Sequence, residues 1–280
     1  MSKEAFENVV DNIAARVPKT AAGETIGADG LTHCNKCGKA TQVKITLFGK
    51  TKIVPCICQC EKDRMEQDEQ QRQQDEQRRQ LENMKSTGFT DRQMKLWTFE
   101  NDNGNAPQIM QAMKNYCEHW RELKQDGRGL LLYGNVGTGK TYAAACVANR
   151  LIEQGTPVLM TNFTRIINKL QSTFDGRQEY IDGLNRFDLL ILDDLAAERN
   201  TEYMQETVYN IIDARYRANK PLIVTTNLTM DELKNPQSVT QARIYDRILE
   251  KCFPVKIEGA SQRRKKIAAE YNGMKELLGL

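Results

Sequence analysis

A parallel α/β sheet with helices on both faces, preceded by a small cysteine-rich module and a charged helical linker, is the architecture this 280-residue sequence predicts. Three observations carry it. From Thr87 onward, short apolar runs alternate with helical patterns, the arrangement that buries a parallel sheet from both sides. All the clustered cysteines fall in roughly the first 60 residues, where helical periodicity is sparse. Between the two lies a stretch, 61–85, built almost wholly of Glu, Gln, Arg, Asp and Lys. The predicted divisions are 1–62, 63–87 and 88–280.

Within the third region, strands are expected at Leu130–Tyr133, Val158–Thr161, Leu189–Leu192, Leu222–Thr225 and Pro254–Ile257. Each is a short apolar run of the kind a sheet covered on both faces demands. Helices are expected near 107–124, 142–154, 163–173 and 202–218, the second closed by Gly155. No internal repeat is visible. Net charge is +3 with 28% charged residues, so no global field demands a nucleic-acid or membrane partner. No apolar run nears the length of a membrane span, and no export signal follows Met1, so a soluble, cytoplasmic protein with no membrane partner is expected.

The first strand leads directly into Gly134-Asn135-Val136-Gly137-Thr138-Gly139-Lys140-Thr141, a complete G-x-x-x-x-G-K-[ST] loop, and a helix follows. Strand, glycine-rich turn and helix together aim main-chain N–H groups and the positive helix end at phosphate oxygens. Lys140 is expected to reach the β- and γ-phosphates, and Thr141 to hold Mg²⁺. Further along, Phe187-Asp188-Leu189-Leu190-Ile191-Leu192-Asp193-Asp194 is an apolar strand ending in two carboxylates. Asp193 is expected to anchor Mg²⁺, and Asp194 to orient or deprotonate the attacking water. Asp is shorter than Glu, so hydrolysis is expected to be slow. Asn227, at the end of the run Pro221–Thr226, reads as a water-positioning sensor or as a turn initiator.

In this order, G-N-V-G-T-G-K-T, D-L-L-I-L-D-D, V-T-T-N, R-I-Y-D-R-I and S-Q-R-R resemble an AAA+ ATPase of the DnaC/DnaI/IstB group, over roughly residues 88–270. The resemblance implies a P-loop NTPase of AAA+ type using ATP and Mg²⁺. It implies that Arg247, with Arg243 one helical turn earlier, is an arginine finger completing a neighbouring subunit's site, and that Arg263 is the second sensor. A finger acting in trans implies a homo-oligomer, a ring or spiral when ATP is bound.

Cys34 and Cys37 form a C-x-x-C knuckle, and Cys56-Ile57-Cys58-Gln59-Cys60 follows after a predicted hairpin of Val43–Leu47 and Thr51–Val54. Two close thiolate pairs suit tetrahedral Zn²⁺. Five cysteines compete for four positions. Cys34, Cys37, Cys58 and Cys60 are favoured, Cys56 is the alternative, and His33 is less favoured. So small a module depends on the metal to fold. A cysteine-rich N-terminal module also resembles that of DnaI-type loaders, where it engages the replicative helicase. It is absent from IstB-type proteins. Cys117, Cys146 and Cys252 are dispersed and read as small core residues.

Residues 61–82 hold eight acids, five bases and seven glutamines with no heptad seam, so a solvated helix or partly disordered spacer is expected. By resemblance, segments after the second and third strands line an oligomer's channel, which makes Lys169, Phe174 and Tyr203 candidates for gripping single-stranded DNA. The leading expectation is an ATPase that delivers a replicative hexameric helicase to single-stranded DNA in a bacterial or phage-infected cell. An IstB-like transposition helper and an ATP-responsive adaptor with negligible turnover are the competing readings.

Overall fold

The computed structural model describes residues 24–47, 49–172, 176–195, 201–262, 264, 267, 271, 274, 275, 277 and 278. The chain forms two compact units, 1–79 and 80–280. In the first, β1 (Glu24–Ile26) pairs antiparallel with β2 (Thr32–Cys34), and β3 (Gln42–Leu47) with β4 (Lys50–Pro55). The β3–β4 hairpin is the predicted one, slightly longer. The β1–β2 pair was not anticipated, since three-residue strands carry too little pattern to read.

The polar stretch forms a helix, α1 (Gln59–Gly88), and the two units divide between Arg79 and Gln80. Its exposed part is laced by pairs at helical spacing: Arg64 with Glu61 at 2.6 Å, Lys62 with Glu66 at 3.8 Å and Arg78 with Asp75 at 3.0 Å. Such pairs contribute only about 0.2–0.5 kcal/mol each. The anchor is apolar instead. In the second unit Leu81 and Met84 pack on the core, and Gly88 lies so close to the Val158 carbonyl that no side chain fits there.

The second unit is a five-stranded, all-parallel sheet of β5 (Gly129–Tyr133), β6 (Val158–Asn162), β7 (Leu189–Leu195), β8 (Leu222–Thr226) and β9 (Cys252–Lys256), in the spatial order β6-β7-β8-β5-β9. Alternation along each strand sorts side chains to two faces. Leu130, Leu132, Leu189, Ile191 and Ile223 join one core with α2 (Pro107–Glu118), α3 (Trp120–Gln125) and the phosphate-loop helix α4 (Lys140–Glu153). Leu131, Leu190, Leu192, Leu222 and Val224 join the other, with α5 (Phe163–Gln171), α6 (Arg177–Leu184), α7 (Glu202–Arg217), α8 (Met230–Lys234) and α9 (Val239–Lys251).

Several expected boundaries are corrected. The helix predicted over 107–124 breaks at His119, whose ring and main-chain N–H both turn onto the Asn115 carbonyl. The one predicted to 173 stops at Gln171, where the Ser172 hydroxyl donates to the Lys169 carbonyl. The last strand is Cys252–Lys256 rather than Pro254–Ile257. Among the described residues it pairs with β5 on one side only, so Pro254 costs no needed donor. Helices α6, α8 and α9 were not predicted, although the Thr229–Glu232 capping box and the Ser238 cap were legible. Among the described residues no helix is long and apolar enough to cross a membrane.

Candidate nucleotide and metal sites

β5 delivers the chain into the phosphate loop, where two glycines are forced. Gly134 (φ 139°) faces the Ile257 carbonyl and Gly137 (φ 82°) faces Ser261, each too closely for a Cβ. Thr138 ties the loop by donating to the Asn135 carbonyl at 2.9 Å. The buried Lys140 ammonium donates to the carbonyls of Gly134 (2.9 Å) and Asn135 (2.8 Å), and to Asn227 Oδ1 at 2.8 Å. The lysine of the loop and the amide at the tip of β8 therefore meet, although 87 residues separate them. Asn227 lines the same cleft as Lys140.

The two carboxylates behave differently because the backbone makes them differ. Successive strand side chains point to opposite faces. Between Leu192 and Leu195 the β7–β8 register shifts, and Asp194 takes φ 58°, in the left-handed region. The irregularity turns Asp194 out of the alternation, so it is exposed and lines the same cleft as Lys140 and Asn227. Asp193 is 7% exposed and accepts from the Thr225 hydroxyl at 2.6 Å, while Thr225 Oγ1 accepts the Asp194 N–H at 3.0 Å. Burial pushes the Asp193 carboxyl above its ordinary value; the Thr225 bond opposes this and the Asp194 charge adds to it. A buried acid with too little positive charge beside it, bonded also to the Thr141 side chain, fits a divalent cation. Thr141 and Asp193 are the residues that would hold it.

The cleft encloses about 700 Å³. Sequence reasoning missed part of its wall: Trp97, Asn103, Asn105, Tyr142 and Gln262. Trp97 comes from a short 3₁₀ turn (Arg92–Leu96), which the buried Asn149 of α4 pins by donating to the Met94 and Trp97 carbonyls at 2.9 Å each. Tyr142 donates to the Thr98 carbonyl at 2.9 Å, and its ring stands 5.9 Å from that of Trp97. No spacing in the chain foretells this aromatic wall. On the far side, the Gln262 N–H donates to the Gly137 carbonyl at 2.8 Å, and Asn105 donates to Gln262 Oε1 at 2.7 Å. Arg263 itself lies outside the described residues, but its neighbour rests on the phosphate loop.

Arg247 is not in the cleft. It sits on α9 against α7, 2.6 Å from Asp213 Oδ1, donating to the Tyr209 hydroxyl at 3.0 Å and lying 4.7 Å above the Tyr209 ring. The Asp213 contact is an ion pair without hydrogen-bond alignment, and Arg247 Nε is buried with no bond. Arg243, one turn earlier, is exposed. Of the residues expected to grip DNA, Lys169 is exposed in the last turn of α5 and Tyr203 is 37% exposed in the first turn of α7, while Phe174 lies outside the described residues.

In the first unit, the sulfurs of Cys34, Cys37, Cys58 and Cys60 all lie within 4.8 Å of one another. Main-chain N–H groups of the knuckle lower the Cys34 thiol, and those of Cys60 and Lys39 lower Cys37 to about 6. Thiol–thiol hydrogen bonds with Cys58 and Cys34 push Cys60 the other way, to about 12. Four thiols sharing one point cannot all ionise without a cation, and a Cys₄ set at this spacing suits Zn²⁺. Cys56 turns away and donates to the Ala40 carbonyl at 3.4 Å. Both His33 ring nitrogens are engaged, by Gly38 O and Asp29.

Compared with known proteins, the chain is 26% identical over 167 residues to the replicative helicase loader DnaI of Bacillus subtilis, covering 55% of this chain and 53% of that one. It is 24% identical over 155 residues to the replicative helicase loader DnaC of Escherichia coli K12, covering 54% and 62%. A Sinorhizobium fredii protein described as an insertion sequence ATP-binding protein is 31% identical over 153 residues, covering 52% and 51%. The chain thus spans about half to three-fifths of the length of these relatives. A crystal structure of DnaI matches with TM-score 0.52 at 25% identity, covering 64% of this chain and 98% of that one. The crystal structure of the DnaC helicase loader matches with TM-score 0.50 at 20% identity, covering 60% and 100%. The second unit has the AAA+ P-loop fold. With residues 61–269 matching its family model, the chain belongs to the IstB-like ATP-binding proteins.

Proposed function

We propose that this chain is an ATP-hydrolysing loader that delivers a hexameric replicative helicase to single-stranded DNA. The observation that carries the ATPase part is the meeting of Lys140 and Asn227 beside Asp194, with Asp193 buried behind them. The loop amides bind the triphosphate, and Lys140 moves from the Gly134 and Asn135 carbonyls to its oxygens. Thr141 and Asp193 would hold Mg²⁺, which when bound would neutralise charge on the phosphates. Asp194 takes up the proton of the attacking water, and Asn227 orients that water. Arg247 leaves Asp213 to reach the phosphate bound by a neighbouring subunit, and Arg263 completes the site from the C-terminal segment. Such a site is complete only in an assembly.

The loader part rests on the similarity to DnaI and DnaC together with the four-cysteine cluster, which would bind Zn²⁺ and organise residues 1–62 as the helicase-binding module. The helix of 63–87 gives that module reach, residues 88–280 form the ATPase domain, and Lys169, Phe174 and Tyr203 contact single-stranded DNA. A cytoplasmic setting follows from such a role. The insertion-sequence relative supports a second reading, a transposition helper acting on duplex DNA.

Two measurements test this. Asp194→Asn should bind ATP as the wild type does but hydrolyse it at least about a hundredfold more slowly, the scale of one lost general base; hydrolysis at the wild-type rate would remove Asp194 from its role. The full chain should retain a replicative hexameric helicase on co-purification, and a chain lacking residues 1–79 should not. Retention of a transposase instead would favour the helper.

A further inference from the structure

Strand β8 ends in two hydroxyls where a buried strand would ordinarily carry valine. It reads Leu222-Ile223-Val224-Thr225-Thr226, and Thr225 and Thr226 are both 0% exposed. A hydroxyl taken out of water without a partner costs about 1–3 kcal/mol, so a buried strand keeps one only where it is bonded. Both are bonded to one short stretch of β7. Thr225 donates to Asp193 Oδ1 at 2.6 Å and accepts the Asp194 N–H at 3.0 Å. Thr226 donates to the Leu195 carbonyl at 3.0 Å and accepts the Leu228 N–H at 3.1 Å.

That stretch is where the two strands fall out of step. Leu190, Ile191 and Leu192 pair with Leu222, Ile223 and Val224, and the next pair is Leu195 with Thr226. Three steps along β7 therefore match two along β8, and Asp193 and Asp194 stand outside the β7–β8 ladder. On the other side Asp193 still pairs with Asn162 of β6, so the extra residue is taken up at Asp194, with φ 58°. A residue other than glycine in that region costs on the order of 1–3 kcal/mol and persists only where its surroundings hold it. Here the holding group is the Thr225 hydroxyl, which takes the Asp194 main chain on one side and the Asp193 side chain on the other.

We propose that Thr225 is a positioning residue for ATP hydrolysis, whose hydroxyl fixes the bulge of β7 and so aims the Asp194 carboxylate at the attacking water. The inference rests on the role of Asp194 proposed above and names what sets its place. The same strand end also fixes that place relative to the phosphate-binding lysine. Asn227 follows Thr226 directly, the Thr226 hydroxyl closes the turn around it through the Leu228 N–H, and Asn227 Oδ1 accepts from Lys140 at 2.8 Å. Three consecutive residues, Thr225, Thr226 and Asn227, thus tie Asp194 and Lys140 to one rigid point at the end of a central strand. Without the Thr225 hydroxyl the bulge keeps its extra residue but loses the bond that orients it. A displacement of about 1 Å at a reacting group costs on the order of a hundredfold in rate.

Steady-state ATP hydrolysis by the full chain tests this in a double-mutant cycle of Thr225→Val and Asp194→Asn, at saturating Mg²⁺ and well below each variant's melting transition. Thr225→Val should lower kcat roughly thirtyfold and leave KM for ATP within about threefold of wild type. Thr225→Ser, which keeps the hydroxyl and loses a buried methyl, should keep kcat within about threefold although it too melts lower. Thr225→Cys, whose thiol is a weak donor, should fall between the two, and the Ser–Cys pair reads the same effect should the valine variant not fold. In the Asp194→Asn background Thr225→Val should cost less than about threefold more, because the group it aims is gone. Rates that follow melting temperature across the series, with serine as slow as valine, would make Thr225 a structural residue and overturn the inference. So would an equal loss in both backgrounds, or a wild-type rate for Thr225→Val beside a slow Asp194→Asn. Asp194→Asn hydrolysing at the wild-type rate would instead remove the role of Asp194, and the inference with it.

Discussion

Thr225 is the joint between the two carboxylates, and replacing it with valine isolates what that joint does. Thr225→Val keeps the shape of a fully buried side chain and deletes one hydroxyl. That hydroxyl donates to Asp193 at 2.6 Å and accepts from the Asp194 N–H at 3.0 Å. A hydrogen bond to a charged group is worth about 1.5–3 kcal/mol net, and a stranded main-chain donor costs about 1 kcal/mol or more. The loss near neutral pH should therefore be about 2–4 kcal/mol, or about 5–12 °C in melting temperature for a domain of this size. The pH dependence has a definite sign. Asp193 already titrates above its ordinary value in the fold, so the folded chain binds its proton more tightly than the unfolded one, and stability falls as pH rises through that window. Removing the bond that lowers this carboxyl widens the window. The deficit of the variant should be fully present at about pH 7.5 and shrink towards about pH 5 as Asp193 takes up its proton. Thermal melts of both proteins across that range, without nucleotide, read it directly. A variant melting with the wild type at about pH 7.5, or a deficit that grows on acidification, would refute the reasoning.

Other perturbations follow from the same geometry. Cys58→Ser should lose the bound zinc measured by metal analysis, whereas Cys56→Ser, which turns to the Ala40 carbonyl, should keep it at the wild-type stoichiometry. Arg215, 1% exposed and lowered to about 10 by burial, stays charged and donates to the Phe187, Asp188 and Pro221 carbonyls at the roots of β7 and β8. Arg215→Met should cost about 3–5 kcal/mol in denaturant melts by stranding those carbonyls, with ATP affinity unchanged.

The parts of the site that lie along one continuous stretch could be read from residue order. The phosphate loop follows a strand and opens a helix, and its glycines sit where Ile257 and Ser261 leave no room for a Cβ. Each strand of the parallel sheet announced itself by an apolar run because both faces of such a sheet are buried, and β5, β6 and β8 begin and end within one residue of where they were expected. The capping signals of α8 and α9 were equally local and were overlooked. Other features depend on pairs of residues far apart, and no local pattern encodes them. Asp194 reaches the cleft only because a register shift against β8 throws it out of alternation. Trp97 becomes a wall of the cleft only because Asn149 on another element pins its carbonyl. Arg247 lies on α9 against α7, held by Asp213 and Tyr209. The four cysteines that converge are the four favoured from the sequence, and Cys56, two positions before Cys58, donates to the Ala40 carbonyl instead. Local chemistry thus announced the phosphate loop, the paired carboxylates and the cysteine cluster, through turns, periods and motifs that need no partner. Where those groups meet was set by packing between distant segments, because a side chain's direction depends on register and burial that only the assembled sheet supplies.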